Sequence, residues 1–211
     1  VLVLLGIYVD DILGAGGRKL LQEIFDRIRA IFKTSIPLDL GVVGELNFLG
    51  IWISVVVVDF GDGDGKRIGY KIHQTQFVDE FLEKMRAIEM RPRTTPAEHT
   101  NFTSEKKEEK FTEEQKSRET ARLQSILGSL TWLSVRSRPD IAYAVSAAAS
   151  SLSRCLCECS LRYRHVIQYL KTASSLGLFY EFLSGSGVGD DHSVAGTCVF
   201  TDASFSPTGN R

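Results

Sequence analysis

Val1-Leu-Val-Leu-Leu-Gly-Ile-Tyr-Val9 runs directly into Asp10-Asp11 and then Ile12-Leu13-Gly14. The apolar run reads as a buried strand. The two acids read as a tight turn, because carboxylates are depleted in strands and favoured in turns, and a second strand follows. Residues 1–16 are therefore expected to form a β-hairpin with the acidic pair at its tip. Adjacent negative charges repel, so the pair needs a compensating positive charge, and a divalent cation is the usual one. Mg²⁺ prefers carboxylate oxygens, and two such ions can hold the attacking and leaving oxygens of a phosphoryl transfer. A bare Asp-Asp is more commonly a solvated turn, so the choice rests on the rest of the chain.

Outward from the hairpin, the periodicity alternates between strand and helix. Arg18 to Phe32 places Leu20, Leu21, Ile24, Phe25, Ile28 and Ile31 at helical spacing, and Pro37 and Gly41 break the pattern. Ile51–Val58 and Lys66–His73 read as a second hairpin around the Gly-rich turn Phe60–Gly65. Thr75 is placed to cap a helix from Gln76 to Met90, and Arg91-Pro-Arg-Thr-Thr-Pro96 reads as a linker. Glu105 to Glu119 is a mixed-charge run entering a solvated helix. Helices are expected over Leu123–Val135, Ile141–Leu156 and about Leu161–Thr172, then strands over Gly177–Leu183 and Ser193–Phe200. The fold class is α+β.

The chain has 211 residues, 43% of them hydrophobic and 24% charged, which suits one large domain or two small ones. No apolar run reaches the length of a membrane span, and the apolar start lacks a basic leader, so neither a membrane anchor nor a signal peptide is expected. Both ends read as cut from a longer polyprotein. The net charge of −1 leaves no overall basic excess, so nucleic-acid contact would rest on local basic stripes. Four cysteines without a secretory signal read as free intracellular thiols.

Five ordered segments resemble the reverse transcriptase of copia-type long-terminal-repeat retrotransposons. They are Tyr8-Val-Asp-Asp11; Leu40-Gly41 with Gly44-Glu-Leu-Asn-Phe-Leu-Gly-Ile51; and Ile72-His-Gln-Thr-Gln-Phe77 with Arg91–Pro96. The fourth is Ile126-Leu-Gly-Ser-Leu130 with Arg138-Pro-Asp-Ile-Ala-Tyr-Ala-Val-Ser146, and the fifth is Arg164-His165 with Tyr169-Leu-Lys-Thr172 and Gly177-Leu-Phe-Tyr180. The resemblance implies partial polymerase palm hairpins, a helical thumb and connection, and the first strands of a ribonuclease H-like domain. It divides the chain into a late palm, primer-grip hairpin and first thumb helix over 1–96, a thumb/connection over 97–175, and a truncated ribonuclease H start over 176–211.

By this resemblance the activity is RNA-directed DNA polymerisation, with ribonuclease H downstream. The metal ligands implied are Asp10 and Asp11 for the polymerase and Asp202 for the ribonuclease H step. Tyr8, Lys33, Trp52, Arg91 and Arg93 are the expected primer or nucleic-acid contacts; separately, Lys84, Arg86, Arg91 and Arg93, on or just after one helix, could contact phosphates if they line one face, a solvated face being the alternative. Mg²⁺ is the implied cofactor, two ions at a complete site, with Mn²⁺ as a substitute. RNA/DNA template-primer, deoxynucleotides and the rest of the Pol polyprotein are the implied partners. The implied location is intracellular, in a cytoplasmic virus-like particle or the nucleus. An earlier palm strand would supply a third carboxylate, and the fingers would hold the nucleotide; neither is found here, so the isolated fragment is expected to be inactive. The rival reading is a decayed or repurposed fragment acting as a non-enzymatic interaction module; an unrelated α+β binding domain comes third.

Ordinary structural roles compete with several of these assignments. Lys33 follows a helix, where a cation is favoured in any case. Trp52 and Tyr70 equally suit a sheet face or core. Cys155, Cys157 and Cys159 are spaced two apart, unlike the C-x-x-C of zinc sites, so structural thiols are expected, with His165 no ligand. Asp62 and Asp64 lack the closing Glu of a calcium loop. Gly61-x-Gly63-x-Gly65 precedes no helix, so it is not a dinucleotide fingerprint.

Overall fold

In a computed structural model the described residues are 3–59, 61, 66–97 and 111–181. They fall in one compact unit, Leu2–Phe182, that mixes helix and sheet. Strands β1 (Val3–Tyr8) and β2 (Asp11–Gly16) form an antiparallel hairpin, followed by helix α1 (Arg18–Ile31). A one-turn helix α2 (Leu40–Val43) leads to β3 (Glu45–Phe48), β4 (Ile51–Asp59) and β5 (Lys66–His73). Then come α3 (Thr75–Lys84), α4 (Glu113–Arg136), α5 (Ala142–Ser151), α6 (Leu156–Thr172) and β6 (Gly177–Glu181). The second sheet is four-stranded and antiparallel, in the order β3-β4-β5-β6.

The core is helical. Val78 and Phe81 of α3, Leu123, Leu127 and Leu130 of α4, and Val166 and Ile167 of α6 are among its buried members. On α4, Leu123, Ile126, Leu127, Leu130 and Leu133 recur at helical spacing, which turns one face inward. Thr112 starts α4 with a capping box: its hydroxyl accepts from the Gln115 N–H, and the Gln115 side chain accepts from the Thr112 N–H. No helix of the described residues is long and apolar enough to cross a membrane.

One ionic cluster, built on a buried arginine and a partly exposed aspartate, ties the helices together where α4 ends. Arg138 is 1% exposed and grips both oxygens of Asp140 through Nε and Nη2. Its Nη1 donates to the carbonyl of Ala173 beyond α6, and the Tyr169 hydroxyl donates to Asp140. Beside it, Ser137 donates to the side-chain oxygen of buried Gln74, just before α3.

Several sequence expectations change. The opening strand is not buried: Leu4 is 63% exposed and Ile7, on the opposite face, 66%, because the sheet has only two strands and α1 packs against it only around Gly14. The helical pattern ends at Ile31, before Pro37; Gly41 lies in the separate one-turn helix α2, which Gly44 at φ +80° closes. Strand β3 is an additional element, and its Glu45-Leu-Asn-Phe48 alternates exposed polar with half-buried apolar residues. Thr75 does not cap α3; it is the first helical residue, and its hydroxyl bonds His73. The helix stops at Lys84 instead of Met90, and Arg86, at φ +51°, turns the chain into a short 3₁₀ turn, Ala87–Glu89. The segment expected as helix over Ile141–Leu156 breaks after Ser151, and Leu156 opens α6 with Cys155 as its cap. Strand β6 pairs with β5, so the division expected at 175/176 falls immediately beside a strand of the second sheet. The division at 96/97 likewise separates α3 from the core it shares with α4 and α6.

Candidate metal centre and nucleic-acid interface

Register fixes the hairpin tip. Ile7 pairs with Ile12 and Tyr8 with Asp11, leaving Val9 and Asp10 as the two-residue connection. Val9 sits at φ +54°. A β-branched residue there is a steric outlier, because its Cβ crowds the following carbonyl. The position would suit Gly, and strained backbone of this kind concentrates at functional sites. Behind the tip, a Cβ on Gly14 would lie 2.7 Å from a Leu21 methyl, so glycine there lets α1 lie close against β2.

Asp10 and Asp11 are both exposed, and neither forms an ion pair with a described residue. Asp10 lies in the turn and Asp11 opens β2, one residue further on than a pair wholly at the tip. Among the described residues no third carboxylate, histidine or cysteine joins them as a metal-holding group. The pair suits a hydrated Mg²⁺, which is commonly held by one or two carboxylates together with substrate phosphates. Tyr8, 60% exposed, stands across from Asp11.

The other expected contacts are scattered. Lys33 is exposed just after α1. Trp52 is half-buried on β4, opposite His73 of β5, in a shallow cleft of about 390 Å³ lined also by Glu45, Asp79, Glu80 and Glu83. Three of those carboxylates lie on α3, so Trp52 faces acidic surroundings. Arg91 is exposed in the segment after the 3₁₀ turn. Arg93 is tied to α6: its Nε donates to the Gln168 side chain at 2.9 Å and its N–H to the Gln168 carbonyl at 3.1 Å. Lys84 and Arg86 are exposed. Asp202, the Gly-rich turn apart from Gly61, and the strand expected over Ser193–Phe200 lie outside the described residues.

Two surfaces escaped the sequence reading. On the four-stranded sheet, Val55, Val57, Ile68, Tyr70 and Tyr180 share one face and stay 36–59% exposed. On α4, Arg136 stacks over the Trp132 ring at 4.4 Å, with Val135 and Tyr143 of α5 exposed. The i, i+4 spacing of Trp132 and Arg136 was the available signal, hidden within an otherwise apolar segment. Among the described residues, Cys155, Cys157 and Cys159 are free thiols. Cys159 is buried, and burial pushes its thiol up to about 11. The Cys155 sulfur accepts from the Glu158 N–H at the start of α6. His165 bonds the Thr95 carbonyl at 3.0 Å.

No protein-family model matches the chain, no curated protein matches it, and no solved structure matches it.

Proposed function

We propose that this chain is the C-terminal part of a copia-type RNA-directed DNA polymerase, with Asp10 and Asp11 as metal-binding carboxylates. The observation that carries the reading is the hairpin tip: two exposed adjacent carboxylates beside Val9 in a strained left-handed conformation. The five ordered sequence segments support it independently. In this reading the first hairpin and strands β3–β5 belong to the palm and primer grip, the helices to thumb and connection, and residues 176–211, with Asp202, to the start of a ribonuclease H segment.

The reaction is attack of a primer 3′-hydroxyl on a nucleotide α-phosphate, with pyrophosphate leaving. Mg²⁺, when bound, lowers the hydroxyl pKa and neutralises leaving-group charge. Asp10 is the direct ligand, Asp11 adds negative field, and Tyr8 packs beside the primer end. Two of the three carboxylates, without the fingers that would hold the nucleotide, leave such a site incomplete, so this chain alone does not extend a primer.

Manganese binding followed by electron paramagnetic resonance tests the reading. The chain is expected to hold Mn²⁺ weakly, and Asp10→Asn to abolish that binding. Equal binding by both proteins would favour a non-enzymatic relic. Metal-dependent primer extension by the purified chain would overturn the inactivity of the fragment.

A further inference from the structure

A chain of hydrogen bonds crosses the junction between the four-stranded sheet and the helical core. Ser54 of β4 donates its hydroxyl to Glu45 Oε2 of β3 at 3.0 Å. The Ser54 Oγ itself lies 3.1 Å from Nε2 of His73, the last residue of β5. Across the ring, Nδ1 lies 2.9 Å from the hydroxyl of Thr75, the first residue of α3, and 3.5 Å from the Thr75 N–H.

The donors and acceptors admit one arrangement. A backbone N–H only donates and an ionised carboxylate only accepts. His73 Nδ1 therefore presents its lone pair, and the ring hydrogen sits on Nε2 and points at Ser54. The Ser54 hydrogen goes to Glu45, and the Thr75 hydroxyl donates to Nδ1. This holds the ring neutral. It also has the wrong sense for a nucleophile, since His73 donates to the serine instead of taking its proton.

The surroundings resist a charged ring. His73 is half-buried and precedes α3, whose N-terminus carries the positive end of the helix dipole. Lys71, two residues earlier and on the same strand face, repels an imidazolium. Opposing these are Glu45 of β3, across Ser54, and Asp79, Glu80 and Glu83 of α3 along the same cleft. From β4 come neutral Trp52 and Ser54, and from β6 the uncharged Gly177 opposite His73. Burial and Lys71 outweigh Glu45, and the ring's pKa lies below 6.5.

We propose that His73 is a pH-operated latch between β5 and α3, closed while the ring is neutral and released when Nδ1 takes a proton from solvent. A proton on Nδ1 turns the acceptor into a donor, so the Thr75 N–H loses its partner and the Thr75 hydroxyl must rotate. The first turn of α3 then comes away from the sheet. Since α3 carries Val78 and Phe81 into the core, the latch sets how firmly the sheet is held to the helices.

Hydrogen exchange across residues 74–78 and the ¹⁵N shifts of the His73 ring, both followed from pH 7.5 to 5, test this. Expected are an Nε2–H tautomer titrating below 6.5 and protection at the start of α3 that falls by up to tenfold per pH unit in that window. In His73→Gln, which cannot titrate, that pH-dependent fall disappears. An Nδ1–H tautomer, titration at or above 6.5, or the same fall in His73→Gln would overturn the latch. If His73→Gln fails to fold, the wild-type ring titration still decides.

Discussion

Asp140 accepts from Arg138 at 2.9 Å and 2.7 Å, through two nitrogens of a guanidinium that solvent scarcely reaches. The two residues flank Pro139, so a four-residue stretch, Ser137–Asp140, holds an anion and a cation in fixed register at the end of α4. Removing the acid leaves the buried cation uncompensated. Asp140→Ala is expected to cost about 3 kcal/mol. Arg138→Lys, which loses the two-pronged grip and the Ala173 contact, costs about 2 kcal/mol. Urea unfolding of each variant measures these losses, and values within 0.5 kcal/mol of wild type would show the cluster to be incidental.

The same pair sets an acid limit. Burial alone would raise the Asp140 pKa, but the hydrogen bonds from Arg138 and Tyr169 and the Arg138 charge bring it below its ordinary 3.8. A depressed carboxyl contributes stability that is complete above about pH 4 and is lost as pH falls through the lowered value. Asp140→Asn should therefore be less stable at pH 7 yet lose less on going from pH 4 to pH 2. Parallel acid-unfolding curves for the two proteins would count against it.

Burial predicts a sharp contrast between two leucines. Leu130 is fully buried, and Leu130→Ala is expected to cost roughly 2–5 kcal/mol. Leu4, at 63% exposure, contributes little, and Leu4→Thr should stay within about 0.5 kcal/mol of wild type. Thermal unfolding of both variants checks the contrast, and a large loss at Leu4 would mean that its strand face is covered in solution.

Val9 is held at φ +54° with its side chain 86% exposed, so strain there is not offset by packing. Val9→Asn, which tolerates this conformation, is expected to stabilise the chain by about 1 kcal/mol. Asp10→Asn should leave the unfolding midpoint unchanged while removing Mn²⁺ binding. A parallel loss of stability in Asp10→Asn would assign the residue a structural role.

Cys159 should resist alkylation. Its buried thiol, pushed up to about 11, stays protonated at pH 8, whereas Cys155 and Cys157 are partly exposed. Peptide mapping after brief iodoacetamide treatment should find Cys155 and Cys157 labelled before Cys159. Early labelling of Cys159 would show that α6 opens readily.

Local chemistry determined much of this protein from sequence alone. Apolar spacing placed α1, β4 and β5, and two adjacent acids between apolar runs placed the first turn, because these signals depend on neighbours a few residues apart. Tertiary structure decided the rest. Nothing local in Gly177–Tyr180 says that it pairs with β5, more than 100 residues away. Nothing local in Arg86 forecasts the left-handed turn that ends α3 early. The opening strand carries the composition of a buried element, yet exposure depends on what lies against it, and α1 packs on the two strands only around Gly14. The adjacent acidic pair was legible because its residues are neighbours in the chain. The His73 latch was not, because Glu45, Ser54, His73 and Thr75 meet only once three strands and a helix are assembled.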